Sequence, residues 1–124
     1  MGQKKKDTSV KDTSLATKSC IPCKGSMPKL SPQECKNYLA ELNDGWKVVE
    51  DHHIEKEYRF NDFKSALAFV DKVGQVAEQE GHHPDIYLAW GKVKISLWTH
   101  KINGLSESDF ILAAKCDAVE GMSD

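Results

Sequence analysis

Between residues 31 and 42 the apolar positions recur with a helical period. Cys35, Tyr38, Leu39 and Leu42 stand at i, i+3, i+4 and i+7, which is one stripe of an amphipathic helix. Ser31-Pro32-Gln33-Glu34 precedes it as a capping box with proline at the first helical position, and Asn43-Asp44-Gly45 ends it. The period then drops to two. Trp46-Lys47-Val48-Val49 is a short strand. Ile54, Lys56, Tyr58 and Phe60 share one face of a second strand, with Glu55, Glu57 and Arg59 opposite, the mark of a sheet with one wet face. A turn near Glu50-Asp51 makes the two a hairpin.

A longer helical stripe follows: Phe63, Ala66, Leu67, Val70, Val73 and Ala77, capped by Asn61 or Asp62 and stopped by Gly81. After Pro84, Ile86–Trp90, a turn at Gly91 and Val93–His100 predict a second hairpin. In its second strand Val93, Ile95, Leu97 and Thr99 share one face, and Lys94, Ser96, Trp98 and His100 the other. Ser106 caps a last helix, Asp109 takes the capping-box position, and Leu105 and Phe110 have the spacing of a hydrophobic staple. That helix offers only a thin stripe of Ile111, Ala114 and Ala118, whose small side chains suit a close contact, such as one with another subunit. The expectation is a two-layer α+β domain, α-β-β-α-β-β-α, with a four-stranded antiparallel sheet and three helices packed on one face.

Length and charge narrow this picture. The 124 residues suffice for one domain and hardly for two, and 40% apolar with 29% charged is an ordinary globular balance. No apolar run approaches the roughly 18 residues of a membrane helix, and a formal net charge of −2 argues against a dedicated nucleic-acid-binding domain. The charge is uneven: residues 1–30 carry net +5 and the remainder net −7. Residues 1–27 therefore read as a basic leader and 28–120 as the folded domain. Residues 1–19 show no period and little to bury, so they are expected to be disordered. Nothing at the N-terminus resembles a secretory signal, so a reducing, cytoplasmic setting with free thiols is expected, with an organellar transit peptide as the weaker alternative because the leader has no Arg and carries Asp7 and Asp12. Cys20-Ile-Pro-Cys23 is a C-x-x-C in loop-like surroundings, open to a structural turn, a metal site or redox chemistry.

Five histidines offer chemistry: His52-His53, His82-His83 and His100. Neighbours on a strand point to opposite faces, so His52 and His53 are expected on the surface, not on one ligand. His82-His83-Pro84 sits on a loop between a helix stop and a strand, a place suited either to function or to capping of the helix end. If the hairpins and the middle helix pack together, His82, His83 and His100 meet over one pocket. Three imidazoles suit proton transfer at neutral pH and equally a three-histidine zinc site.

Glu78-x-x-x-His82-His83-Pro84, followed by Thr99-His100-x-x-x-Gly104-Leu105-Ser106-x-x-Asp109, resembles the pterin-4a-carbinolamine dehydratases. Gly45-Trp46 and Phe60-Asn61-Asp62-Phe63 fit as well, so the resemblance spans roughly residues 28–119. The Cys-x-Pro-Cys-Lys-Gly segment is similar to a leader of microbial and plant members. The resemblance implies the same fold order, a homodimer or homotetramer, and no metal or bound cofactor. The implied reaction dehydrates a 4a-hydroxytetrahydropterin to the quinonoid dihydropterin.

By the same resemblance His82, His83 and His100 are the acid–base set, with His83 and His100 on the two sides of the ring and His82 auxiliary. The implied substrate-binding residues are Glu78, Gly81, Pro84, Trp98, Thr99, Lys101, Asp109 and Trp46. Asp109 is expected to orient His100, and Trp46 either walls the pocket or fills the core. Ile86, Trp98 and Gly81 depart from the common pattern, at the pocket edge. Two other functions compete: a non-catalytic assembly or coactivator module of this fold, and a zinc hydrolase, against which the lack of a helical H-x-x-x-H counts.

Overall fold

The computed structural model describes residues 15–20 and 28–122. Helix α1 spans Pro32–Leu39, followed by strands β1 (Lys47–Val49) and β2 (His53–Arg59) and helix α2 (Phe63–Glu80). Strands β3 (Asp85–Ala89) and β4 (Lys92–Leu97) lead through a 3-10 turn at His100–Ile102 to helix α3 (Glu107–Met122). The sheet order is β1-β2-β4-β3, antiparallel throughout, so the second strands of the two hairpins form its centre. The α-β-β-α-β-β-α reading holds.

Local chemistry sets the boundaries. The Ser31 hydroxyl accepts from the Glu34 N–H at 3.1 Å, and the Glu34 carboxylate accepts from the Ser31 N–H at 2.8 Å. Asp62 caps α2 by accepting from the Ser65 N–H at 2.8 Å. The β1–β2 turn places Glu50 and Asp51 at φ 53° and 55°, the left-handed pair that matches the twist of a two-residue hairpin.

Register carries the period-two pattern into the core. Ile54 faces Leu97, Lys56 faces Ile95 and Tyr58 faces Val93 across β2 and β4. Ile54, Tyr58, Val93, Ile95 and Leu97 are all buried against the helices. Glu55, Glu57, Lys94 and Ser96 occupy the opposite face, which no helix of the described residues covers.

Three expectations fail, each because tertiary context overrides a local pattern. The segment 15–20 is ordered: Leu15–Thr17 forms a 3-10 turn, Leu15 is 1% exposed, and the turn packs on α3. Lys115 Nζ donates to the Ala16 carbonyl at 2.9 Å, and Glu80 accepts from the Cys20 N–H at 2.8 Å. One leucine in a basic stretch carries no period, so the strap was invisible to pattern. Next, α3 is no thin stripe. Phe110, Ile111, Leu112, Ala113, Ala114, Cys116 and Val119 are all buried, because α1, α2 and the leader turn all meet this one helix. An all-round apolar helix is a central one. Finally, on α2 Phe69 is buried while Phe63 and Leu67 stand 43% and 48% exposed. The core-facing arc is rotated from the one the stripe suggested.

Candidate active site

Two chain segments, each fixed at a rigid end, bring the imidazoles together. The first is the close of α2. Gly81 takes φ 66°, and its N–H reaches the Glu78 carbonyl at 3.4 Å while the His82 N–H reaches that of Ala77 at 3.3 Å. This paired closure requires a left-handed residue just past the helix, and glycine fills that position without a Cβ penalty. His82 and His83 leave the helix from it in a set direction.

The second segment follows β4. The Thr99 N–H donates to the Gly104 carbonyl at 2.8 Å, pinching residues 100–103 into a short turn. His100 therefore lies just past the strand and not at its last position. The turn ends on Asn103 at φ 51°, whose N–H donates to the His100 carbonyl at 3.1 Å.

A hollow of about 430 Å³ opens between the segments, lined by Gly81, His82, His83, Trp98, Thr99, His100 and Lys101. That is within the range of small-molecule sites, roughly 300–1,000 Å³. The three histidines of the expected set thus share one hollow. Glu78 joins through His83, whose Nε2–H donates to its carboxylate at 2.6 Å, both side chains being open to solvent. Pro84 follows directly in the chain and is half-buried. Trp98 packs on His100, with ring centroids 4.0 Å apart.

Asp109 supports the site from beneath, but through a different histidine from the one expected. It is fully buried, and its Oδ1 accepts from His82 Nε2–H at 2.6 Å. No hydrogen bond to His100 is found. Its Oδ2 accepts from the Thr99 hydroxyl at 2.8 Å and the Ser106 N–H at 2.9 Å. The Thr99 proton being committed, the Ser106 hydroxyl is the donor in the 2.8 Å bond between the two. The capping role and the histidine-orienting role coexist in one carboxylate.

Trp46 is core and not pocket wall. It is 6% exposed, its indole N–H donates to Asp117 Oδ2 at 3.0 Å, and its ring meets Tyr58 edge-on. Asp117 lies about two turns along α3 from Asp109, at the far side from the hollow.

The pair His52-His53 behaves differently from expectation. His52 belongs to the turn and β2 begins at His53, so strand alternation does not separate them. Their Nδ1 atoms lie 3.1 Å apart, and the His52 ring packs on Trp98 at 4.3 Å. Among the described residues no group of three His, Cys, Asp or Glu side chains is arranged to hold a metal ion. Cys20, Cys35 and Cys116 carry free thiols. Burial pushes the half-buried Cys20 thiol up to about 11, with Glu80 adding to the shift. Cys23, and with it the C-x-x-C as a pair, lies outside the described residues. No helix among the described residues is long and apolar enough to cross a membrane.

Fold and hollow together define the class: an α+β domain of one antiparallel sheet and three helices, carrying a histidine cluster between the end of the middle helix and the end of the last strand. The family model described as pterin 4 alpha carbinolamine dehydratase matches residues 28–119. The chain belongs to that family. A protein of Alkaliphilus metalliredigens whose name assigns it to pterin-4-alpha-carbinolamine dehydratase is 58% identical over 103 residues, covering 83% of this chain and 93% of that one. A namesake from Rubrobacter xylanophilus is 50% identical over 103 residues, covering 83% of this chain and 95% of its own. Among solved structures, a transcriptional coactivator/pterin dehydratase from Brucella melitensis superimposes with a TM-score of 0.70 at 34% identity, covering 73% of this chain and 97% of that chain. A pterin dehydratase-like protein identified as a RuBisCO assembly factor in the alpha-carboxysome follows with a TM-score of 0.55 at 25% identity, covering 62% of this chain and 90% of that one.

Proposed function

We propose that this chain dehydrates a 4a-hydroxytetrahydropterin to the quinonoid dihydropterin by histidine acid–base catalysis, without metal or cofactor. The observation that carries the reading is the gathering of His82, His83 and His100 around one hollow. The reaction breaks the C4a–O bond, forms a C4a=N5 double bond, and releases water. One imidazolium protonates the departing hydroxyl, since hydroxide leaves poorly, and one neutral imidazole takes the N5 proton. Positioned groups of this kind supply about 10²–10⁴ in rate.

The surroundings divide the roles. His82 donates its Nε2–H to the buried Asp109 and has only 16% of its side chain exposed, which suits a binding or auxiliary group. His83 is open to solvent and paired with Glu78, and His100 sits on the opposite segment, which suits acid and base on two sides of a flat ring. Purified protein should accelerate loss of the 4a-hydroxy intermediate with chelator present. His83→Ala and His100→Ala should each lower kcat by about 10²–10⁴ with the fold intact by circular dichroism. Activity that vanishes with chelator and returns with zinc, or both variants near wild type, would refute the assignment.

A second reading rests on the names of the two structural relatives, one a coactivator/dehydratase and one an assembly factor. It makes this chain a binding module of the same fold. A chain with no dehydratase activity, whose His83→Ala variant still captures a defined partner as well as the wild type does, would favour it.

A further inference from the structure

The β1–β2 turn delivers a histidine that the acid–base reading leaves unused. Glu50 and Asp51 both hold the left-handed conformation, at φ 53° and 55°, which side chains oppose. The His52 N–H closes the turn on the Val49 carbonyl at 2.9 Å. That backbone brings the His52 ring onto Trp98, with centroids 4.3 Å apart. Trp98 in turn packs on His100 at 4.0 Å. A second arm reaches the same turn through the backbone. His52 Nε2–H donates to Asn103 Oδ1 at 3.0 Å, and the Asn103 N–H holds the His100 carbonyl at 3.1 Å. His52 Nδ1 shares a hydrogen bond with His53 Nδ1 at 3.1 Å. Both ring nitrogens are thereby committed, and the ring plane is set.

We propose that His52 is a positioning residue for His100, acting on its ring through Trp98 and on its backbone through Asn103. The proposal rests on the reading of His100 as an acid–base group. His100 is exposed on a three-residue turn, so its own packing constrains the imidazole little. Reaction geometry tolerates little drift, a misplacement of about 1 Å costing on the order of 10² in rate.

The test joins kinetics to NMR of the full chain. His100 ring-proton resonances, assigned by their loss in His100→Ala, should lie upfield beside the tilted indole, whose plane is 39° from that of the imidazole. In His52→Ala they should move, kcat should fall about tenfold or more, and KM should stay within about twofold. His52→Phe keeps a flat ring on Trp98 without the Asn103 bond and should recover part of kcat. Unmoved His100 resonances, an unchanged kcat, or a rise in KM alone would overturn the proposal. Should His52→Ala fail to fold, His52→Phe and Asn103→Gly, which keeps the positive φ and removes the acceptor, decide on the same readouts. A wild-type chain without dehydratase activity sinks the proposed function, and the resonances then decide the positioning separately: moved sustains it, unmoved overturns it.

Discussion

Helix α3 carries two buried aspartates about two turns apart, Asp109 at 0% and Asp117 at 2% exposure, and their surroundings divide the molecule. Asp117 accepts from four donors: Lys56 Nζ at 2.9 Å, the Tyr58 hydroxyl at 2.7 Å, the Trp46 indole at 3.0 Å and the Asn43 N–H at 3.3 Å. Its charged partner is a fixed cation, itself largely buried and lying over the Tyr58 ring. Asp109 accepts from a hydroxyl, a backbone N–H and an imidazole. Its partner, the His82 imidazole, borders the hollow. One carboxylate locks the helix to the sheet and to the chain before β1. The other ties the helix to the loop that borders the hollow. The same residue type on the same helix serves stability at one end and the site at the other.

Removing the carboxylate at each end should break this contrast in opposite ways. Asp117→Ala strands the Lys56 charge and should cost about 3–5 kcal/mol, read as a lower urea midpoint, while kcat per folded molecule stays near wild type. Loss of activity in the folded fraction would show that the two ends are coupled. Asp109→Asn should cost less stability and more rate. Loss of a carboxylate behind a working histidine is expected to lower kcat by about 10–100-fold, or roughly 1.4–2.8 kcal/mol. A kcat unchanged in that variant would reduce Asp109 to a helix cap.

The smallest effect probes the leader beside the Asp109 end, where the Cys20 thiol donates to the Ser108 carbonyl at 3.6 Å. Burial raises this thiol from the usual 9.0 to about 11. A raised acid favours folding while protonated, so its contribution is whole below pH 9 and is lost as the pH rises from 9 towards 11. Alkylation by iodoacetamide should correspondingly be slow at pH 8 and speed up towards pH 11. Rapid labelling at pH 8, at the rate of a free peptide thiol, would show that the strap is open in solution.

Much of this was legible in residue order. The capping box at Ser31, the hairpins, the stop at Gly81 and the inward face of β4 follow from short-range rules, because caps, turns and alternation depend on neighbours within a few residues. The histidine cluster was legible only through the spacing of two motif blocks, which says that the residues belong together but not how they are held. Asp109 was assigned to His100 and belongs to His82. His52 was set aside by a rule for strands that does not reach into a turn. Lys56 was placed on the inner face, but its partner Asp117 lies 61 positions away, where no period connects them.

Residue order alone determined the number and sequence of the α-helices and strands and the candidates for chemistry, since these rest on local conformational preference and periodic burial. Tertiary structure decided which carboxylate meets which base, that α3 is the central helix, and that one leucine of the leader enters the core. Those outcomes depend on distances across the sheet and between helices. Such distances come from packing the whole chain at once and leave no signature in any short stretch of it.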